Sequence, residues 1–271
     1  MSLFLEMMSY PFLVRALAGG IFISLCAALL GVSLVLKRYS MIGDGLSHVS
    51  FGALSVAVAV GWSPIKFSIP IVVVAAFLLL RIRENGKIKS DAAIAVISAS
   101  ALAFGITVTS LTTGMTTDVS SYMFGSILAM SREDVLLAMA LSAVVLCLFL
   151  FFYHKVFAVT FDENFARATG VKVGLYDGLF AVLTAVTIVL GMRMMGAMLI
   201  SSLVIFPALT SMRIWKSFLG VVAASGVIAV ICFCIGMVIS YQYSTPAGAS
   251  VVLVNLTAFL ICAMIQNIRG R

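Results

Sequence analysis

Residues 41–53 read MIGDGLSHVSFGA and set Asp44 and His48 four residues apart in an otherwise almost wholly apolar stretch. Side chains at that spacing share one helix face, with Cβ atoms about 5–6 Å apart. A carboxylate and an imidazole so placed can bond to each other or hold one divalent cation. The donor types suit zinc or manganese better than magnesium, which prefers oxygen and keeps its water. Two ligands are too few for zinc, which usually takes four. Two copies facing each other across a dimer axis would supply two Asp and two His. A site completed by water would equally suit a protein that must release its ion. The structural alternative has Asp44 capping its helix and His48 bonded to a neighbouring backbone carbonyl. The two residues alone leave these readings open.

The elements that must carry the pair are membrane spans. Of the 271 residues 63% are hydrophobic and only 10% charged, and the mean hydropathy is +1.21. A water-facing surface needs far more charge, so a soluble domain is excluded. Apolar runs of bilayer-spanning length predict an all-α polytopic integral membrane protein. The runs are continuous and do not alternate in period two, which excludes a β-barrel. The spans predicted are 12–36, 41–61, 64–81, 91–112, 133–154, 174–192, 196–213, 217–241 and 248–267, eight or nine according to how the short pair flanking Met192–Gly196 is counted. Asp44 and His48 then fall about 5 and 10 Å inside the cytoplasmic boundary of their span. An ionisable group near a bilayer centre costs about 2.5–3.5 kcal/mol on insertion scales, so it faces a partner or a water-filled path.

Charge sets the orientation. Of the 17 Lys and Arg residues, only Arg15, Lys66, Arg132 and Arg193 fall outside when the N-terminus is placed outside. The excess inside predicts N-out, C-in. The net charge of +7 lies in short loops between spans, so it marks topology and not nucleic-acid binding. The five cysteines all lie in apolar runs without CxxC spacing and read as buried free thiols. The N-terminus lacks the basic region of a cleaved signal peptide, so its first apolar run is taken as a span. Ser90 and Asp91 read as a helix start, GWSPIK (61–66) and YSTPAG (243–248) as outer turns, and Pro207 as a kink or break. No repeat or linker is evident, and residues 1–271 read as one domain.

Two loops carry more than a turn. The outer stretch 113–132 is long and half apolar, which predicts a short interfacial or re-entrant helix near 119–130. The inner stretch 156–173 can form a short helix with Asp162 and Glu163 in its first turn and Gly170 at its end. Glycines 43, 45 and 52 would let neighbouring helices approach the Asp44–His48 face closely. No Walker A, HExxH or GxSxG pattern occurs, so the chain neither energises transport with ATP by itself nor reads as an enzyme.

Six segments in register resemble one family. GDGLSHVSFG (43–52), SDAAIAVISASALAFG (90–105), SSYMFGSILAMSRED (120–134), FDENFARATG (161–170), MGAMLISSLVIFPALTS (195–211) and TPAGASVVL (245–253) are similar to segments of the membrane permeases of bacterial ABC importers for zinc and manganese, the metal type 3 permease family. The resemblance implies a type II ABC importer-like fold in the bacterial plasma membrane. It implies a homodimer, a dimer of cytoplasmic ABC ATPases that bind the ATP, and an extracytoplasmic protein that delivers the metal. No permanently bound cofactor is implied. Asp44 and His48 would match the metal pathway. Phe161, Asp162, Glu163, Ala166 and Gly170 would belong to the helix that docks on the ATPase. Ser244, Pro246 and Gly248 would form an outer turn or gate; Ser244 stands where the family often has Asp. The wording FGSILA is closer to zinc than to manganese permeases, with manganese or iron(II) the alternatives. A cation-coupled secondary transporter, or a non-transporting assembly with a purely structural pair, are the other classes the residues allow.

Overall fold

The structure is a computed structural model that describes residues 9–84, 90–113 and 132–268. Every regular element in them is a helix. In chain order these are α1 (Pro11–Leu36), α2 (Ile42–Val60), α3 (Pro64–Glu84), α4 (Ser90–Thr113), α5 (Arg132–Phe151), α6 (Tyr153–Phe161), α7 (Glu163–Ala168), α8 (Val173–Met195), α9 (Ala197–Ile214), α10 (Phe218–Tyr243) and α11 (Ala247–Ile268). The predicted interfacial helix near 119–130 lies outside the described residues.

Among the described residues eight helices are long and apolar enough to cross a membrane: α1, α2, α4, α5 and α8 to α11. In α3 the apolar part, Pro64–Leu79, is shorter. Its 21 residues nevertheless reach about 32 Å as a helix, and it continues the up-and-down path between α2 and α4. The polytopic all-α architecture is therefore as predicted. Pro207 does not break its span: α9 runs unbroken through it, as α3 runs through Pro70.

The core sits where α1 meets α8, α9 and α10. Apolar burial does not by itself favour helix association in lipid, so close packing and hydrogen bonding must hold these helices together. Small residues supply the packing. The would-be Cβ of Gly31 on α1 meets the carbonyl oxygen of Val204 on α9, and that of Gly236 on α10 meets the Val251 backbone on α11 at 2.5 Å. Buried hydroxyls bond along their own helix, as in Ser24 to the Gly20 carbonyl (2.7 Å) and Thr187 to that of Leu183 (2.8 Å). Others bridge helices: Ser225 Oγ donates to the Ala28 carbonyl at 3.2 Å and Cys26 Sγ to that of Ser142 at 3.3 Å. Helices α4, α5 and α11 pack at the periphery with most of their surface uncovered.

The reversal between α8 and α9 hinges on Gly196, whose φ of 88° and ψ of 160° suit glycine and few other residues. This turn is buried by protein, for Met194 and Met195 are each 1% exposed. They pack level with Gly19 and Gly20, so α1 rises about 13 Å beyond the reversal on the outer side.

Candidate functional site

Helix α2 follows α1 after a five-residue connection, 37–41. The connection is ordered by its backbone: Arg38 N–H donates to the Val35 carbonyl and Tyr39 N–H to that of Leu34, with Arg38 at a φ of 62°. This is the Schellman pattern, here with arginine at the left-handed position. Val204 of α9 meets both Gly31 and Gly43. The start of α2 is thus level with Gly31, about 8 Å outward of Leu36.

Asp44 stands between two glycines that face different neighbours. Gly43 lies against Ser201 and Val204 of α9, and a Cβ on Gly45 would meet Ile94 of α4 at 2.6 Å. Flanking positions on a helix point about 100° to either side, so Asp44 emerges in the gap between α4 and α9. His48 follows one turn later, its Nε2 3.6 Å from Asp44 Oδ2. The imidazole is mostly enclosed at 15% exposure, whereas the carboxylate is 42% exposed. Asp44 does not cap its helix: Met41 holds that position and no side chain bonds there. The capping alternative is therefore removed, and the pair is turned on itself. Among the described residues no group of three or more His, Cys, Asp or Glu side chains comes together. His154 is elsewhere, against Tyr153 on α6. An apolar groove of about 450 Å³ between α1, α5 and α10 is lined by Leu25, Leu150 and Val227 among others and does not include the pair.

The inner segment 156–173 holds the short helix expected there, preceded by a second one, α6. Asp162 caps α7, its Oδ1 accepting from Phe165 N–H at 2.9 Å, and Glu163 and Arg167 sit at the ends that suit their charges. Gly170, at a φ of 83°, ends it with bonds from Gly170 N–H to the Arg167 carbonyl and from Val171 N–H to that of Ala166. Ala166 is fully buried against Val159 and Val173. The opposite face is open, with Phe161 59% and Phe165 64% exposed.

Two residues that sequence reasoning missed join this segment to the spans. Lys37, the last residue before the Schellman turn, is 7% exposed. Its Nζ donates to Asp177 Oδ1 on α8 and stands 3.7 Å from Glu163 Oε1 on α7. The only signal was a lysine and an aspartate at inner helix ends.

At the outer turn, Ser244 ends α10 at a φ of 51°. Ser240 Oγ donates to the Thr245 carbonyl at 2.6 Å, and the Thr245 and Ser250 hydroxyls bond to each other at 2.7 Å. Pro246 precedes α11, and Gly248 is buried in its first turn. The turn and the Asp44 pair lie on different helices at opposite faces, so the fold does not bring these two groups of candidates together.

Residues 9–266 match the model of the ABC 3 transport family. The chain belongs to that family. A probable metal transport system membrane protein of Treponema pallidum is 30% identical over 98% of this chain and its own whole length. The manganese transport system membrane protein MntC of Halalkalibacterium halodurans is 27% identical over 98% of this chain and 91% of its own. The high-affinity zinc uptake system membrane protein ZnuB of Haemophilus influenzae is 27% identical over 93% and 97%. Among solved structures, PsaBC from Streptococcus pneumoniae in complex with Fab superposes with a TM-score of 0.86 at 30% identity, covering 96% of this chain and 94% of that one. As a multi-pass membrane protein of the ABC 3 family, the chain is a transport component whose architecture is that of ABC permeases.

Proposed function

We propose that this chain is the membrane-spanning subunit of an ATP-driven importer for a first-row divalent metal, and that residues 1–271 act as one permease domain. The observation that carries the reading is the Asp44–His48 pair, 3.6 Å apart in the gap between α4 and α9 of an ABC 3 family fold. One carboxylate and one imidazole hold such an ion briefly. They leave its remaining positions to water or to a second copy of the chain, which is what a protein that releases its cargo requires.

Zinc is the cargo we assign, because an imidazole within a two-donor set favours it over the harder manganese. Relatives named for manganese and for zinc are each 27% identical, so identity does not separate the two. Manganese or iron(II) is the alternative. The chain works as a homodimer, N-out and C-in, with a separate ATPase dimer on the inner side and a metal-delivering protein on the outer side. The exposed face of α7 around Phe161 and Phe165 is where the ATPase docks. Phe161 and Asp162 lead into this face, Glu163 begins it, Ala166 seats it, and Gly170 ends it. The outer turn at Ser244, Pro246 and Gly248 lies on the side of metal entry.

The test is elemental analysis of cells lacking their own metal permeases and grown with chelator. They would express this chain with its candidate ATPase and binding protein. Wild type restores cellular zinc, and Asp44→Ala and His48→Ala do not, at matched membrane abundance. Restored manganese in place of zinc would change the cargo; unimpaired variants would make the pair structural.

A further inference from the structure

We propose that Lys37 is the positioning residue that passes displacement of α7 to the α1–α2 turn and so to Asp44 and His48. This inference rests on the reading of α7 as the ATPase-docking helix.

The attachments of α7 to the membrane domain differ in kind. Through Ala166 it seats on Val159 of α6 and Val173 of α8, an apolar contact that fixes its height. Through Glu163 it reaches Lys37 on α1. Lys37 in turn donates to Asp177 on α8. One enclosed ammonium therefore answers two carboxylates from two other elements. The Asp177 contact is a direct hydrogen bond, whereas Glu163 stands off at 3.7 Å and is 32% exposed. In a charge shared in this way the hydrogen-bonded partner is held more firmly, and the longer Glu163 contact is the one that tightens or parts when α7 moves.

Beyond Lys37 the path to the metal pair is short and is tied at four points by backbone hydrogen bonds. Arg38 and Tyr39 close the Schellman turn, with Tyr39 buried at 3% exposure. Ile42 N–H donates to the Tyr39 carbonyl at 3.0 Å and Gly45 N–H to that of Met41 at 3.1 Å. A turn so bonded moves as a unit. A shift of Lys37 therefore reorients the first turn of α2, which carries Asp44 against α4 and α9.

The experiment uses the full complex of permease, ATPase and metal-binding protein in proteoliposomes. Radiolabelled zinc and manganese uptake would be measured beside ATP hydrolysis. In Lys37→Met the ATPase remains bound in wild-type ratio, but metal moved per ATP falls by about fivefold or more, the lower range for coupled sites. Lys37→Arg keeps the charge and restores the ratio. Glu163→Gln lowers the ratio as well, and adding it to Lys37→Met brings no further loss, since both break one link.

A purely structural lysine predicts something else: uptake and hydrolysis fall together, in step with abundance, at an unchanged ratio. That result overturns the proposal. Should Lys37→Met fail to fold, Glu163→Gln decides alone, and an unaltered ratio there overturns it too. Phe165→Asp separates this inference from the docking reading. If the ATPase still co-purifies with Phe165→Asp, α7 is not the docking helix. If it is lost there while Lys37→Met transports normally per ATP, only the role of Lys37 falls.

Discussion

A Cβ on Gly31 would run into the carbonyl oxygen of Val204, so α1 and α9 cross with no side chain between their backbones. The oxygen is backbone and cannot swing aside. Gly31→Ala is expected to destabilise the fold by about 1–3 kcal/mol, the usual range for overpacking. Thermal unfolding of the purified protein in detergent checks this. Because Val204 also touches Gly43, the surviving protein should show weaker uptake per molecule.

Asp44→Asn removes a charge from a half-exposed site without changing its volume. It should leave the unfolding temperature close to wild type. Uptake at limiting metal should fall by at least about tenfold, the effect of ~1.4 kcal/mol of lost binding. His48→Gln should behave alike. A large drop in unfolding temperature with normal uptake would mean that the pair serves the fold.

Asp162 organises α7 through its bond to Phe165 N–H. Asp162→Ala should weaken the helix by about 1 kcal/mol, and Asp162→Asn should recover most of it. Read as affinity for the detached ATPase subunit, the first change is about fivefold. Equal affinity for all three proteins would show that a preformed α7 is not needed.

Gly170 has no atom within 4 Å of its would-be Cβ, so only its φ of 83° resists substitution. Gly170→Ala is therefore expected to lose about 1 kcal/mol, while Gly170→Asn, which tolerates the left-handed region, loses less. The order Gly, Asn, Ala in ATPase co-purification is the observation to seek. A reversed order would point to a side-chain contact in the assembly.

Ser244 is a non-glycine residue at a φ of 51° on the outer side. Ser244→Gly should raise the unfolding temperature slightly and leave uptake unchanged, since the neighbouring hydroxyl bonds involve Ser240, Thr245 and Ser250 instead. Lost uptake in a stable Ser244→Gly protein would assign the hydroxyl a place on the metal path.

Much of the candidate site was legible before any fold was known, because its signals are local. The four-residue spacing of Asp44 and His48 implies a shared helix face whatever surrounds it. The same holds for α7, where Asp162, Glu163 and Gly170 cap a helix within ten residues of chain. Less local features were misjudged or missed. Pro207 read as a kink or a break, and of the two the break is excluded, since α9 runs through it as one helix. Helix α6 was hidden in the inner loop, since its start at Phe152 carries no capping side chain.

Hydropathy and basic-residue placement are sums over the chain, and the bilayer reads them directly. Span positions and the presence of a charged pair in an apolar helix therefore followed from composition and order alone. Which helices are central and which peripheral did not follow, because every span is apolar on most faces and lipid rewards none of them for packing. That choice was made by small-residue contacts such as Gly31 with Val204, which exist only once two helices meet. The Lys37–Asp177 pair belongs to the same class. Its members are 140 residues apart, and only the packing of α8 beside α1 brings the carboxylate to the ammonium.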